Sequence, residues 1–362
     1  MALSKLNNDS FADTAVHGRR NLVINGAALI YQRGSSTTAN LGAAADRIVQ
    51  EATGGTSTLS RETLTSGSPY DEGFRFYNRL TNTAAASDAG NYRQIRYTFE
   101  SQEIASSGWN YKSSSSFITW SFWIRASVAG KYTFTLQTSD GTAYLYTFSK
   151  TLSANTWTKV TEAVPGNSNL QFDNDTFGGL FLHFRTWLGS AYTNLSSEDA
   201  WATYNSSNIS TSGIANFAGT EGATYDVTGI QLELGDKATP FEHRSFGEEL
   251  SLCRRYTQVF LGDQNYSELG GTGLAYSTTN LDVPIQLIPQ MRSTPSLTNS
   301  GNLQASNAGS GYALTAISIV TQQSSKDVAS VRGTTSGMTA NNPHRIEAQN
   351  NTTARVILSA EL

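Results

Sequence analysis

Disulfides are ruled out at once, because the 362-residue chain has a single cysteine, Cys253, which can form neither an internal bridge nor a cysteine-rich metal site. Stability must come from packing or from assembly. Charge is also sparse: Asp, Glu, Lys and Arg make up 15% of the chain, the formal net charge is -4, and no dense Lys/Arg run occurs. That excludes the electrostatic footprint of a nucleic-acid binder. No apolar run approaches the ~20 residues that span a bilayer, so membrane insertion is not expected, and Met1–Asp9 lacks the apolar stretch of a signal peptide. An exported role would therefore need another route. What the chain has in quantity is Ser, Thr, Asn and Gly, with 31 glycines, together with 10% aromatic residues. This mixture favours strands and turns over helices and predicts an all-β protein. The length predicts two domains and a terminal extension.

Residues 1–20 are polar, without a sustained period, and end in the basic cluster His17-Gly-Arg-Arg20. Alone they would bury little surface, as in a frayed terminus or a segment docked on a partner. Asn21 to Gly34 reads as two short strands about the turn signal Asn25-Gly26. Period-two alternation then marks strands at Phe74–Leu80, Tyr92–Glu100, Phe117–Arg125, Gly130–Gln137, Ala143–Phe148, Thr156–Val164 and Gly178–Trp187, and Asp46–Glu51 is read as a further strand. The spacing is that of a sandwich. Between Gly189 and Gly219 lies a long Ser/Asn/Thr-rich loop, a class of segment that often carries function. Tyr225 to Leu234 reads as a strand with a bulge near Gly229. Pro240 forces an extended exit, and Leu250, Cys253 and Tyr256 fall at helical spacing. Beyond Tyr256 strands recur at Gln258–Leu261, Leu281–Ile288, Tyr312–Val320 and Ala354–Leu362, predicting a smaller second β domain.

Several of these motifs stand together in one order: Asn21-Leu-Val-Ile-Asn-Gly with Gln32-Arg-Gly34, Ser121 to Gly130, Thr228 to Gly235, and Pro240-Phe-Glu-His-Arg through Tyr256. Over roughly residues 21 to 256 the chain resembles phage and prophage virion appendage proteins, tail-fibre or head-fibre, that carry a carbohydrate-binding-module-like jelly roll. Met1-Ala-Leu-Ser-Lys-Leu and Ser10-Phe-Ala-Asp-Thr14 resemble the virion-anchoring ends of marine phage appendages, and Val356–Leu362 resembles their closing strand. The resemblance implies an antiparallel β-sandwich of jelly-roll type followed by a smaller C-terminal β-sandwich. It divides the chain into an anchoring arm at 1–20, the jelly roll at 21–243, a helical collar at 244–256 and a C-terminal β domain at 257–362. It implies a structural subunit, a homotrimer, made in the bacterial cytoplasm and carried on the particle surface. Residues 1–20 would contact other virion proteins, and the jelly roll would face a bacterial surface polysaccharide. The alternatives are a capsid decoration or head-fibre protein with no receptor, and a glycan depolymerase.

A sugar site is expected among Trp109, Tyr111, Trp187, Tyr192, Trp201 and Tyr204, because a flat aromatic face packs on the C–H face of a pyranose while Asn and Asp bond its hydroxyls. Trp201 and Tyr204 are the best placed by sequence. The alternative is that these rings pack under loops or at a subunit interface. Trp120, Phe122 and Trp123 belong to a core strand. No catalytic residue is expected: the acid pairs Asp71-Glu72, Glu198-Asp199 and Glu248-Glu249 are adjacent in sequence, whereas a glycosidase sets two carboxylates across a cleft. These pairs read as solvated charge, with Glu248 and Glu249 also favouring a helix dipole. His17, His183, His243 and His344 are scattered, and His243 reads as a brace at the domain junction. No cofactor is implied. Jelly rolls of the resembled type allow a structural calcium ion, but Asp173-Asn-Asp175 reads better as an Asx turn than as a cation loop.

Overall fold

A computed structural model describes residues 20–260, 262–307 and 309–362 of the chain. The expected anchoring arm, residues 1–20, lies outside the described residues except for Arg20. The fold is all-β and antiparallel, in two compact units, one running through Glu249 and the other Leu250–Glu361.

The first unit has twelve strands: β1 (Ser36–Thr37), β2 (Val49–Thr53), β3 (Thr56–Thr63), β4 (Phe76–Ala84), β5 (Tyr92–Glu100), β6 (Phe117–Ala126), β7 (Gly130–Thr138), β8 (Tyr144–Leu152), β9 (Thr158–Pro165), β10 (Gly178–Leu188), β11 (Trp201–Thr203) and β12 (Thr224–Leu234). They form two six-stranded sheets, one in the order β1-β3-β4-β12-β6-β9 and one in the order β11-β8-β7-β10-β5-β2. The pleat decides what lies between them. Trp120 and Phe122 of the first sheet meet Phe134, Phe148 and Phe184 of the second, with Trp120 and Phe184 at 5.0 Å and Phe122 and Phe134 at 4.9 Å between ring centroids. On β7 the alternate residues Thr133, Thr135 and Gln137 therefore point to the outer face of the second sheet, and on β10 Phe181, His183 and Arg185 do the same.

The bulge expected near Gly229 is present: the register of β12 against β6 slips between Thr228 and Gln231, and Gly229 has φ 63°. That bulge explains a correction. Residues 21–34 are not two strands but a buried irregular segment, whose Leu22 N–H bonds Leu232 O at 2.9 Å while Gly26 O accepts from Ile230 N–H at 3.0 Å. Its backbone is satisfied by β12 and by groups elsewhere in the unit, with Ile24 N–H on the Tyr97 hydroxyl at 2.9 Å and Ala28 O accepting from Arg61 at 2.7 Å, so no hairpin partner is needed. The Asn25 amide completes the turn, accepting from Ile30 N–H at 2.9 Å and donating to Ile30 O at 2.8 Å. A Cβ on Gly26 would fall 2.0 Å from Ile230 O. Gly26→Ala is therefore expected to destabilise the first unit by roughly 1–3 kcal/mol, read as a lower denaturant midpoint; an unchanged midpoint would show that the close approach is relaxed in solution.

Among the acid pairs, Asp71, Glu72, Asp199 and Glu248 are exposed as expected, and Glu249 is the exception. Glu249 is buried and accepts from the Asn25 N–H, with the Arg244 guanidinium at 3.5 Å, and burial raises its pKa. Glu72 accepts from the Trp123 indole at 3.0 Å and from Lys159 at 3.0 Å. The Arg244 guanidinium donates to Asn21 O and, at 3.0 Å, to Val23 O, and lies 3.3 Å from Glu242, so this knot of oxygens holds a cation of the chain itself. The His243 ring packs on Phe241 at 4.9 Å and Phe74 at 5.1 Å.

A helix, Phe246–Arg254, spans the boundary between the units, close to where helical spacing predicted it. The second unit stacks a three-stranded sheet, β13 (Thr257–Phe260), β22 (Arg355–Ser359) and β16 (Ser296–Ser300), on a core shared with a seven-stranded one. The larger sheet runs β18 (Ser310–Ala313), β17 (Leu303–Asn307), β21 (Pro343–Ala348), β14 (Gly273–Ala275), β15 (Asn280–Gln286), β20 (Val328–Thr334) and β19 (Ala316–Ile319). Tyr312–Val320, expected as one strand, is two. Leu314 N–H bonds Leu303 O while Thr315 N–H bonds Thr334 O, both at 2.8 Å, so the chain crosses here from one edge of the sheet to the other.

Candidate functional site

On the outer face of the second sheet lies a cleft of about 220 Å³, lined by residues of β2, β5, β7 and β10 and by the segment after β10. The floor follows from register. Glu51 of β2 pairs with Gln94 of β5, and Gln94 pairs with Arg185 of β10, so these three side chains stand in a row across the sheet. Arg96 and His183 form the next row along.

The long segment after β10 makes one wall. A helical turn at Ser190–Tyr192 and a return at Ile209–Ser210, whose N–H groups both bond Tyr192 O (3.0 and 3.1 Å), fold it back over the sheet. Thr147 of β8 anchors the return through its hydroxyl to Ile209 O at 2.9 Å. Tyr204 N–H is tied to Ala143 O at 2.8 Å, and Tyr192 stands edge-on to Tyr92 at 5.8 Å with its hydroxyl on Gly90 O at 2.8 Å. Tyr92, Phe181, Tyr192 and Tyr204 are thus the aromatic residues of the cleft.

The polar groups beneath them are unequal in satisfaction. Glu51 accepts from the Tyr92 hydroxyl and the Gln94 amide, both at 2.8 Å, and from Arg96 at 3.1 Å. Burial, reinforced by the bond to Glu51, raises the Tyr92 pKa. Arg185 donates from Nε to the Thr135 hydroxyl at 2.9 Å and from Nη1 to the Gln94 carbonyl oxygen. His183 stacks on Phe181 at 5.9 Å, yet neither of its ring nitrogens, both buried, has a hydrogen-bond partner. Burial, with the charges of Arg185 and Arg96 adding to it, holds its pKa well below the ordinary histidine value.

A folded pKa below the unfolded one means that the unfolded chain binds the extra proton first. Stability attributable to neutral His183 is therefore complete above ~6.5 and is lost as pH falls below that value, at up to about 1.4 kcal/mol per pH unit, until the folded pKa is reached. His183→Gln is expected to flatten the difference in denaturant midpoint between pH 7 and pH 5. Parallel profiles for the two proteins would show that His183 is already accessible to protons.

Among the residues expected from sequence, the structure brings Tyr192 and Tyr204 together in this cleft. Trp201 sits on the edge strand β11, its ring edge-on to Tyr146 at 5.6 Å and its indole N–H on Pro165 O at 2.6 Å. Trp187 is buried, because the bulge between Arg185 and Trp187 sets it opposite Arg93, on the face away from the cleft. Trp109 is buried too, against Tyr111 at 6.2 Å and Phe172 at 6.3 Å. Sequence reasoning missed Glu51, Gln94, Arg96, Phe181, His183 and Arg185. Among the described residues, no group of three or more His, Cys, Asp or Glu is placed to hold a metal ion. Asp173-Asn-Asp175 forms a turn in which the Asp175 carboxylate accepts from Phe177 N–H at 3.0 Å.

No family model matches the chain, and no curated protein matches it. Solved structures similar to it include tailspike protein 4 of bacteriophage CBA120, at 10% identity and a TM-score of 0.32, over 59% of this chain but 21% of that one. Another is a CBM4 structure, at 11% identity and a TM-score of 0.26, over 44% of this chain and 71% of that one. A third is the tandem CBM22 domain of Paenibacillus barcinonensis Xyn10C, at 10% identity and a TM-score of 0.28, over 90% of this chain and 95% of that one. The chain spans about a fifth of the length of the tailspike. With scores this low, the function rests on the residues of the cleft.

Proposed function

We propose that the first unit is a glycan-binding module, and that the chain is a subunit of a phage virion appendage that helps attach the particle to a bacterial surface polysaccharide. The observation that carries the binding reading is the cleft itself: Tyr92, Phe181, Tyr192 and Tyr204 line it beside a row of amide and guanidinium groups. This is the combination that holds a pyranose, apolar face on aromatic and hydroxyls on planar polar groups. Glu51 is the single carboxylate lining it, and three donors already occupy Glu51. Hydrolysis by paired carboxylates has no second member here, so the reading is binding without catalysis.

The virion role rests on the resemblance of residues 21–256 and of the first residues. In that reading residues 1–20 anchor the subunit to other virion proteins, three copies assemble, and the protein resides on the particle surface. Deleting residues 1–20 is expected to strip the protein from particles, and normal incorporation would overturn the anchor.

For the module, retention of the purified full chain on immobilised surface polysaccharide from host cells is the direct measurement. Tyr204→Ala is expected to weaken retention roughly tenfold or more. Trp201→Ala should stay within a few-fold of the parent, because that ring packs against Tyr146 rather than lining the cleft. Equal retention of the parent and Tyr204→Ala would remove the cleft from the binding reading.

A further inference from the structure

The cleft holds more positive charge than it neutralises. Two guanidiniums, Arg96 and Arg185, face one carboxylate, Glu51, which is bonded to Arg96. Arg185 is the unusual member. It is 6% exposed, and its protein acceptors are both neutral, the Thr135 hydroxyl and the Gln94 carbonyl oxygen. Its Nη2 makes no hydrogen bond to the described protein atoms. A guanidinium offers five N–H donors in a planar fork, and a buried one is ordinarily matched by a carboxylate. Beside it the ring of His183, 5% exposed, also lines the cleft with both nitrogens unpartnered.

We propose that the saccharide bound in this cleft is acidic, and that Arg185 receives the carboxylate of a uronic or similar sugar acid. The inference rests on the glycan-binding reading and deepens it by naming the chemical class of the ligand. Tyr192 and Tyr204 line the cleft beside Arg185. A planar carboxylate matches the guanidinium fork better than any hydroxyl does. A neutral sugar would leave Arg185 as it stands in the unliganded protein, desolvated and short of a counter-charge. Burial indeed pushes its pKa down to about 10, against the opposing influence of Glu51. A carboxylate in the cleft reverses that penalty, so part of the cost of burying Arg185 is recovered only on binding.

The test uses the full chain and matched polymers. Polygalacturonate, alginate and hyaluronan are each compared with the same polymer after reduction of its carboxyl groups to primary alcohols, with a sulfated neutral glucan as a further arm. The expected result is binding to at least one acidic polymer, weakened roughly 10- to 100-fold by carboxyl reduction and weakened again as salt is raised. Arg185→Met should abolish that preference while leaving the thermal midpoint of the unliganded protein equal or higher, a combination a merely structural arginine would not give. Should Arg185→Met fail to fold, Arg96→Gln at the same cleft provides the second variant, with an expected loss of several-fold for the acidic polymer alone. Equal binding of acidic and reduced polymers, lost in Tyr204→Ala, would overturn the acidic ligand and leave the glycan module standing. Binding to the sulfated glucan alone would assign the charge to sulfate and also overturn the proposal. Binding to no polymer, acidic, reduced or sulfated, would overturn the acidic ligand; if host-cell polysaccharide is not retained either, the glycan reading falls with it.

Discussion

Replacing Trp120 by alanine is expected to cost about 3–5 kcal/mol, the largest single loss available in the first unit. Trp120 is fully buried on β6, and its ring meets four others, Phe122 at 5.0 Å on its own strand and Phe134, Phe148 and Phe184 of the facing sheet at 6.2, 5.6 and 5.0 Å. These rings tie the two sheets together, so the cavity left by Trp120→Ala cannot be filled by moving one loop. The strands β7 and β10 that carry Phe134 and Phe184 on one face carry Thr135, His183 and Arg185 on the other. Loosening the core should therefore degrade the cleft as well. Urea unfolding followed by tryptophan fluorescence and far-ultraviolet circular dichroism would measure the loss, and polysaccharide retention should fall with it. A loss below about 1 kcal/mol would mean that the facing rings repack around the gap.

That coupling of core and cleft explains what the sequence made legible. Alternation marked Tyr92–Glu100 and Gly178–Trp187, matching β5 and closely matching β10, because most inward residues are large and apolar, Arg93 excepted. The bulge at Gly229 was legible from a change of phase, and the helix after Pro240 from its apolar spacing. Segments whose partners are remote were not legible. Residues 21–34 look like a hairpin locally, but their backbone partners are remote: β12, some two hundred residues away, and side chains such as Tyr97, Arg61, Arg244 and Glu249. Strand β3, Thr56–Thr63, is mostly Ser and Thr and carries little apolar signal.

The site divides in the same way. Tyr192 and Tyr204 could be singled out because aromatic residues in a long polar loop need a reason to be there. His183 and Arg185 looked like the ordinary solvated face of an alternating strand. Both are buried in a cleft that the loop also lines, through Tyr192, Tyr204 and Ile209, an arrangement no local pattern announces. Trp109 and Trp187 show the converse: an aromatic residue by itself does not distinguish a ligand face from a core, and in Trp187 one bulge decides the matter.

On the outer face of the other sheet an ion-pair cluster is centred on Asp226, and there the second large effect is expected. Asp226 on β12 is 1% exposed and is held by Arg79 at 2.7 and 3.0 Å and by Arg125 at 2.8 and 2.7 Å. Both guanidiniums are supported by aromatic faces, Arg125 over Trp157 at 4.6 Å and Arg79 over Tyr77 at 5.3 Å. The bond to Asp226 raises the Arg79 pKa, so Arg79 stays a cation. Asp226→Ala leaves two cations facing each other across the strand where the carboxylate had bridged β4, β12 and β6. Breaking a buried pair costs about 3–5 kcal/mol, and water reaching the partly exposed arginines places the expectation near 3. Asp226→Asn keeps the shape and should recover part of the loss, since the amide accepts one bond but carries no charge. The exposed pair Lys159–Glu72, at 3.0 Å, is the internal contrast: Lys159→Ala should cost less than about 1 kcal/mol and lose even that at high salt. Denaturant midpoints for the three variants at low and high salt check the ranking. If Asp226→Ala cost no more than Lys159→Ala, desolvating Asp226 would offset its own ion pairs, and the sheet would be held by its aromatic layer alone.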